Sequence, residues 1–367
     1  MLSSDPFAFF GCGRMGLAAL CVAASTGLAA AELPPASGAS AASAPLAPAA
    51  PAVDLSLLPY AQPDVLARLP DQRLIHLRCV GRGSPTVLLL AGLGDWSIDW
   101  KPVHERLGRF SRTCAWDRAG FGFSSGSLVP QTVQATTADL WDALRAAQIP
   151  GPYLLVGHSY GGIESIALAD QHRDAVVGMV LVDPSVPGQD SLMDDGLPAL
   201  AAFDRGFGTR MVLSFGRCRA AVEARQRQAE APVPPGCLRQ PAEYPPALAQ
   251  ALAARALEPA RWAAGASLME RFDANAAAVV RPNRDWGALP LIVLMATRES
   301  ELAADESEAV RRESRVFTER LQAARKALAK RSKRGSYEAV PGAGHYIQVD
   351  QPEAVIRAVQ AVLALAR

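Results

Sequence analysis

One short segment of the chain has residue types at a spacing suited to covalent chemistry. Gly157-His158-Ser159-Tyr160-Gly161 has the pattern G-x-S-x-G and runs on into Gly162. It follows the apolar run Tyr153–Gly157 and precedes a helical stretch, Ile163–His172. A serine on a tight strand-to-helix turn stands out of the sheet edge, and only small neighbours at Gly157 and Gly161 let the backbone take up so strained a turn. The same turn aims the Tyr160 amide and the helix start at the place where an oxyanion would form. The chemistry would be attack by the Ser159 hydroxyl on a carbonyl carbon.

A serine hydroxyl is a weak nucleophile until a base takes its proton. The chain has five histidines. His76 alternates within a strand, and His104 lies in a loop or at a helix start. His158 sits inside the turn, pointed away from Ser159, and His172 reads as a surface residue near a helix end. His345 differs from these four. It closes Pro341-Gly342-Ala343-Gly344-His345, a Gly-rich loop after the predicted strand Ser336–Val340, and it precedes the amphipathic helix Pro352–Leu365. A base downstream of the serine, in the order Ser, acid, His, belongs in such a loop.

The elements that must position these residues are short apolar runs. Leu74–Val80 and Thr86–Ala91 read as strands joined by Gly81-Arg82-Gly83-Ser84-Pro85, and Cys114–Trp116, Tyr153–Gly157, Val176–Val182 and Leu291–Met295 are further strands. Amphipathic segments lie between them, for example Thr137–Ala147 with Leu140, Trp141 and Leu144 on one face. This alternation predicts an α/β fold, a mostly parallel sheet covered by helices.

Composition narrows the class further. Lys and Arg number 37 against 36 Asp and Glu, a net charge of +1, which lacks the basic footprint of a nucleic-acid binder. Half the residues are hydrophobic and 20% are charged, which excludes wholesale disorder. No Cys/His cluster suits zinc and no Gly-rich loop resembles a dinucleotide or phosphate cradle, so neither metal nor cofactor is expected. Arg14 and the uncharged run Met15–Ala31, ending in Ala29-Ala30-Ala31, read as a signal peptide over residues 1–31. From Pro34 to Val53, eighteen of twenty residues are Ala, Pro, Ser or Gly, so residues 32–58 read as a tether.

Taken together, these motifs make the chain similar to serine hydrolases of the α/β-hydrolase fold, over most of its length from about Leu74. Asp117-Arg118-Ala119-Gly120-Phe121-Gly122-Phe123-Ser124 resembles the family's segment after the fourth strand, and Pro85–Gly94 its third strand and oxyanion loop. Gly344-His345-Tyr346-Ile347-Gln348 with Gln351-Pro352-Glu353 resembles its C-terminal signature. The resemblance implies the Leu93 backbone amide as the second oxyanion donor beside that of Tyr160. Ala91 stands where many members have His. It also offers two positions for the acid. The usual one, after the seventh strand, falls on Glu299; the alternative, after the sixth, falls on Asp183. Asp183 is favoured, because Glu299 is longer, opens an acidic run and lacks the Gly that shapes that turn.

The family comparison divides the chain into a hydrolase core over residues 59–186 and 290–367 and a helical cap insertion over 187–289. Met193, Leu197, Phe203, Phe207, Trp262 and Met269 are candidates for pocket lining or cap core. With the signal peptide gone, four cysteines remain, with three possible pairings. Cys218 and Cys237 bracket a Pro-rich cap segment and are expected to pair. The family's strand order, with the second and fourth strands adjacent and antiparallel, also implies Cys79–Cys114. The basic stretch Arg311–Arg334 reads as a solvated helix face packed by its apolar side on the sheet; docking on an anionic membrane is the less favoured reading.

The expected activity is hydrolysis of a small-molecule carboxylic ester by an exported, periplasmic or secreted, cofactor-free enzyme. Ser159, His345 and Asp183, or else Glu299, would be catalytic. A dehalogenase or common epoxide hydrolase would need Asp at position 159. An aminopeptidase, which would need a carboxylate such as Glu223, Glu230 or Glu243, and a cofactor-free perhydrolase share the fold. A non-catalytic binding module is the alternative from another class.

Overall fold

The computed structural model describes residues 52–298, 302 and 305–366. The expected signal peptide over residues 1–31, most of the tether and Glu299 lie outside the described residues.

Eight strands follow one another: β1 (Val65–Arg68), β2 (Leu74–Val80), β3 (Thr86–Leu90), β4 (Thr113–Trp116), β5 (Tyr153–His158), β6 (Val176–Val182), β7 (Leu291–Ala296) and β8 (Gly335–Val340). They form one sheet in the order β1-β2-β4-β3-β5-β6-β7-β8. The β1–β2 and β2–β4 pairs are antiparallel and every other pair is parallel.

Parallel strands must be covered on both faces, which explains their unbroken apolar runs. Val87 and Leu89 of β3, Leu154 and Val156 of β5, and Val180 and Val182 of β6 pack on α1 (Lys101–Leu107) and, at the far end of the chain, Pro352–Leu365. The alternate residues Leu88, Leu90, Leu155, Met179 and Leu181 face α2 (Val133–Ala146) and α3 (Tyr160–Gln171). α2 begins four residues before the predicted Thr137, because the Thr132 hydroxyl accepts from the Ala135 N–H and caps it there.

Between β6 and β7 come α4 (Pro198–Arg227), α5 (Pro235–Leu238), α6 (Pro246–Arg255), α7 (Pro259–Glu270) and α8 (Phe272–Ala278). α4 is one helix of 30 residues. Gly206, Gly208 and Gly216 lower its local helix propensity, and burial of Met211, Phe215, Cys218 and Val222 against Trp262 offsets that. Trp262, with Phe207 and Met269 against it, belongs to this apolar cluster, while Met193, Leu197 and Phe203 join Leu200 and Val310 in another. The six candidates for pocket lining thus pack into clusters of their own.

Both expected disulfides are formed. Cys79 and Cys114 are direct partners in the β2–β4 register, and Cys218 on α4 is bonded to Cys237 on α5.

The folded core reaches back ahead of residue 59. Asp54 caps the 3-10 turn Leu55–Ala61, and its N–H donates to the Glu243 carbonyl at 2.8 Å. Leu57 and Tyr60 of that turn pack on Leu248 and Leu252 of α6. Toward the C-terminus lie α9 (Glu308–Ala329), α10 (Ile347–Asp350) and α11 (Pro352–Leu365). No helix among the described residues is long and apolar enough to cross a membrane.

Candidate active site

Ser159 is the single residue between the end of β5 and the start of α3, with φ 50° and ψ −119°. A non-glycine residue in this region is strained, and it persists only where its surroundings hold it. Here the Ser159 N–H donates to the Val182 carbonyl at 3.2 Å, and the Ser185 N–H donates to the Ser159 carbonyl at 3.0 Å. The flanking glycines are required by contact. A Cβ at Gly161 would run into the Leu90 carbonyl, and one at Gly157 into the Gly161 carbonyl and the Ser165 hydroxyl.

The two candidate oxyanion donors sit at neighbouring strand ends. Leu93 follows β3 and Tyr160 opens α3, where the first backbone N–H groups of a helix have no partner within it. Neither amide has an acceptor among the described residues. The Tyr160 ring is buried, and its hydroxyl accepts from the Asn275 side-chain amide of α8 at 2.8 Å.

Asp183 follows β6 directly and also has positive φ, 42°. Its Oδ2 lies 2.6 Å from Nδ1 of His345. Its Oδ1 accepts from Arg325 Nη1 of α9 at 2.6 Å and from the Ala296 N–H at 2.9 Å. Burial pushes the Asp183 carboxyl upward, but the His345 hydrogen bond, the Arg325 charge and the Ala296 N–H outweigh it and hold the pKa at about 2. An ionised carboxylate only accepts, so Nδ1 of His345 carries a proton and donates it to Asp183. The His345 side chain is 42% exposed while that of Asp183 is 6% exposed: an accessible imidazole on a buried carboxylate.

His158 connects the base loop to the serine turn. It is buried, and its Nε2 donates to the His345 carbonyl at 3.0 Å with the rings 4.7 Å apart. Its Nδ1 faces Asp95 Oδ2 at 3.5 Å, and the Asp95 Oδ1 accepts from the Tyr346 hydroxyl at 3.2 Å.

The other histidines are engaged elsewhere. His76 is not merely an alternating strand residue: its Nδ1 donates to Asp117 at 2.6 Å and its Nε2 accepts from the Asp64 N–H, which occupies both nitrogens. His104 lies within α1 with Nε2 on the Thr113 carbonyl, and burial pushes its pKa down to about 4. His172 stacks on Trp141 at 3.6 Å.

Two arginines touch the site: Arg325, which falls in the stretch read from the sequence as a solvated helix face but is buried, and Arg118, which the sequence reading left without a role. Arg325 shares a helix face with Leu321 and Leu328, a spacing that marks it for burial. Arg118, quoted in the segment after the fourth strand, bonds the oxyanion loop itself. Among the described residues no cluster of His, Cys, Asp or Glu is placed to hold a metal ion.

A profile of the alpha/beta hydrolase family matches residues 87–358. The chain is 34% identical to uncharacterized protein YqjL of Bacillus subtilis over 106 residues, which are 29% of this chain and 42% of that protein. It is 37% identical to N-formylmaleamate deformylase of Pseudomonas putida over 114 residues, 31% of this chain and 42% of that enzyme. The chain thus spans less than half the length of these curated relatives. A solved structure of a thermophilic esterase from Thermogutta terrifontis superposes with a TM-score of 0.51 at 21% identity, covering 82% of this chain and 98% of that one. At that identity the likeness speaks for the fold alone.

Proposed function

The chain belongs to the alpha/beta hydrolase family, and we propose that it acts there as an exported serine hydrolase of small carboxylic esters. The observation that carries this reading is the 2.6 Å bond between His345 and the ionised Asp183, on a loop packed against the turn that holds Ser159 in strained geometry. The Ser159 hydroxyl attacks the ester carbonyl as Nε2 of His345 takes its proton. Asp183 holds the ring in the required tautomer and stabilises the imidazolium. The amides of Leu93 and Tyr160 bind the oxyanion of the tetrahedral intermediate. Its collapse returns the proton to the departing alcohol and leaves an acyl-enzyme, which water, deprotonated by His345, then hydrolyses. Residues 187–289 act as a cap on a core of 59–186 and 290–367. Two disulfides support an oxidising compartment, in keeping with a signal peptide over residues 1–31.

The similarity to a deformylase favours one second reading, cleavage of a C–N bond by the same residues. A p-nitrophenyl ester chain-length series run beside amino-acid p-nitroanilides separates the two, with fluorophosphonate labelling of wild type and Ser159→Ala. Ester turnover with labelling lost in Ser159→Ala is expected. Amide turnover without ester turnover would give the second reading, and labelling that survives Ser159→Ala would remove Ser159 from the mechanism.

A further inference from the structure

Arg118 is one of the largest fully buried side chains of the protein, 2% exposed, and lies just beyond the end of β4. Four of its hydrogen bonds are accounted for. Nε donates to Glu164 Oε1 at 2.8 Å and Nη2 to Glu164 Oε2 at 2.6 Å. Nη1 donates to the Gly92 carbonyl at 2.8 Å, and Nη2 also to the Ala91 carbonyl. The guanidinium lies 5.2 Å from the centre of the Tyr160 ring. Its partner Glu164 is fully buried on α3, one turn beyond Tyr160.

This pair touches the oxyanion loop in a particular way. Successive carbonyls of a strand alternate in direction, so two consecutive carbonyls turned to one guanidinium mean that the backbone has left the strand at Ala91. The peptide joining Gly92 to Leu93 is planar and trans, so its C=O and N–H point in opposite directions. Holding the Gly92 carbonyl on Arg118 therefore sets the direction of the Leu93 N–H. The carboxylate that orients Arg118 belongs to the helix whose first N–H is that of Tyr160.

We propose that the buried Arg118–Glu164 pair is a positioning device for the oxyanion hole, fixing the Leu93 N–H by its grip on the Gly92 carbonyl and coupling it to α3, which supplies the second donor. The inference rests on the reading of Leu93 and Tyr160 as oxyanion donors. Two physical arguments support it. Burial of an ion pair is no efficient source of stability, since a well-packed apolar pair of the same volume often does as well. An apolar pair, however, would take the arginine's donors from both carbonyls and leave the Gly92 carbonyl only the Asp95 N–H at 3.3 Å, a weaker hold on the loop peptide. A cationic donor on a peptide carbonyl also polarises that peptide, which makes its N–H the stronger donor.

The test uses the full-length protein with two variants, Arg118→Met/Glu164→Leu, which keeps volume and removes both charges, and Glu164→Gln, which keeps the side-chain shape and loosens the arginine. For each, kcat and KM on the preferred p-nitrophenyl ester are measured per fluorophosphonate-titrated site. The Ki of a trifluoromethyl ketone of matching chain length is measured as well, because its addition product with Ser159 places an oxyanion in the same hole. The expected result is a fall in kcat/KM of about ten- to a hundredfold, carried by kcat, with Ki rising by a similar factor and KM changing less than about threefold. Glu164→Gln should show the same pattern to a smaller degree, and it decides the matter if the double variant does not fold. A folded variant with kcat/KM within about threefold of wild type, or one that loses kcat while Ki is unmoved, overturns the proposal. Failure of the underlying reading looks different: wild type itself then shows no ester turnover, or its labelling survives Ser159→Ala.

Discussion

Arg325 and His345 hold opposite oxygens of one carboxylate. Arg325 donates to Oδ1 of Asp183 and His345 to Oδ2, each at 2.6 Å. The arginine also donates to the Asp183 and Pro184 carbonyls at 3.1 and 2.8 Å, so it grips the backbone of that turn as well as its side chain. Asp183 is thereby fixed in rotation, and the imidazole it orients is fixed in tautomer and direction.

Replacing Arg325 by Met removes the counter-charge and the donor to two carbonyls. Taking away one partner of a buried pair leaves the other charge uncompensated, which typically lowers stability by about 3 kcal/mol or more. Arg325→Met should unfold at correspondingly lower urea concentration, while Arg325→Lys, which keeps the charge without the fork, should fall between it and wild type. Native stability in the Met variant would show that the pair contributes nothing.

Asp183→Asn removes the charge that stabilises the imidazolium and lets the ring take the wrong tautomer. A fall in kcat of about ten-thousandfold on the preferred ester is expected, the size of loss typical of Ser-His-Asp triads. Glu299→Gln should stay within about threefold of wild type by the same assay, since Asp183 already holds the Nδ1 proton of His345. The reverse outcome would transfer the role to Glu299.

Asp183 also shapes acid stability. Its folded pKa of about 2 lies below the ordinary 3.8, so the unfolded chain binds the proton more readily than the folded one. The stabilisation is therefore fully present above pH 3.8 and is lost as the pH falls through 2, and it amounts to about 2 kcal/mol. Urea midpoints of wild type and Asp183→Asn, compared at pH 6 and near the folded pKa, should show wild type losing the larger share. Equal losses in the two proteins would contradict this assignment of the low pKa.

The sheet is legible in the sequence where burial on both faces leaves an unbroken apolar run. Val176–Val182 and Pro352–Leu365 are read to the residue. β1 escapes because it is four residues at the sheet edge, paired to β2 alone, with too few buried positions to make a pattern. Ser159 and His345 stand out through the glycines that their turns require. The contact of Asp183 with His345 does not, because Asp183 and Glu299 each come after one of two adjacent strands in the chain, and that 2.6 Å contact depends on where the fold places the 341–345 loop. Arg325 is one basic residue among many in its segment, and Arg118 one letter in a motif. What separates them is three-dimensional: the carboxylate and carbonyl oxygens that meet them in the folded core.

The Cys218–Cys237 bridge closes a loop across 19 positions between α4 and α5. Loss of a cross-link over such a length typically destabilises by about 3 kcal/mol. Cys218→Ala/Cys237→Ala should therefore show a lower unfolding temperature and faster proteolysis within residues 187–289. Reductant should lower the wild-type midpoint toward that of the variant; a midpoint unmoved by both would mean that packing around Trp262 suffices to hold the insertion.

His158 tests how far the base loop depends on the serine turn. Its Nε2–H is the donor to the His345 carbonyl, and burial pushes its pKa down, so it remains neutral with that proton in place near pH 7. In His158→Phe the ring shape is retained and the hydrogen bond is gone. The carbonyl left without its donor should destabilise the fold by only about 1 kcal/mol. Catalysis should suffer more, because a displacement of the base of about 1 Å can lower the rate about a hundredfold. The expected result is a kcat about ten- to a hundredfold below wild type, with a nearly native unfolding temperature and KM little changed. A loss of stability with kcat preserved would make His158 a packing residue only, and would place the precision of the base in the Asp183 contact alone.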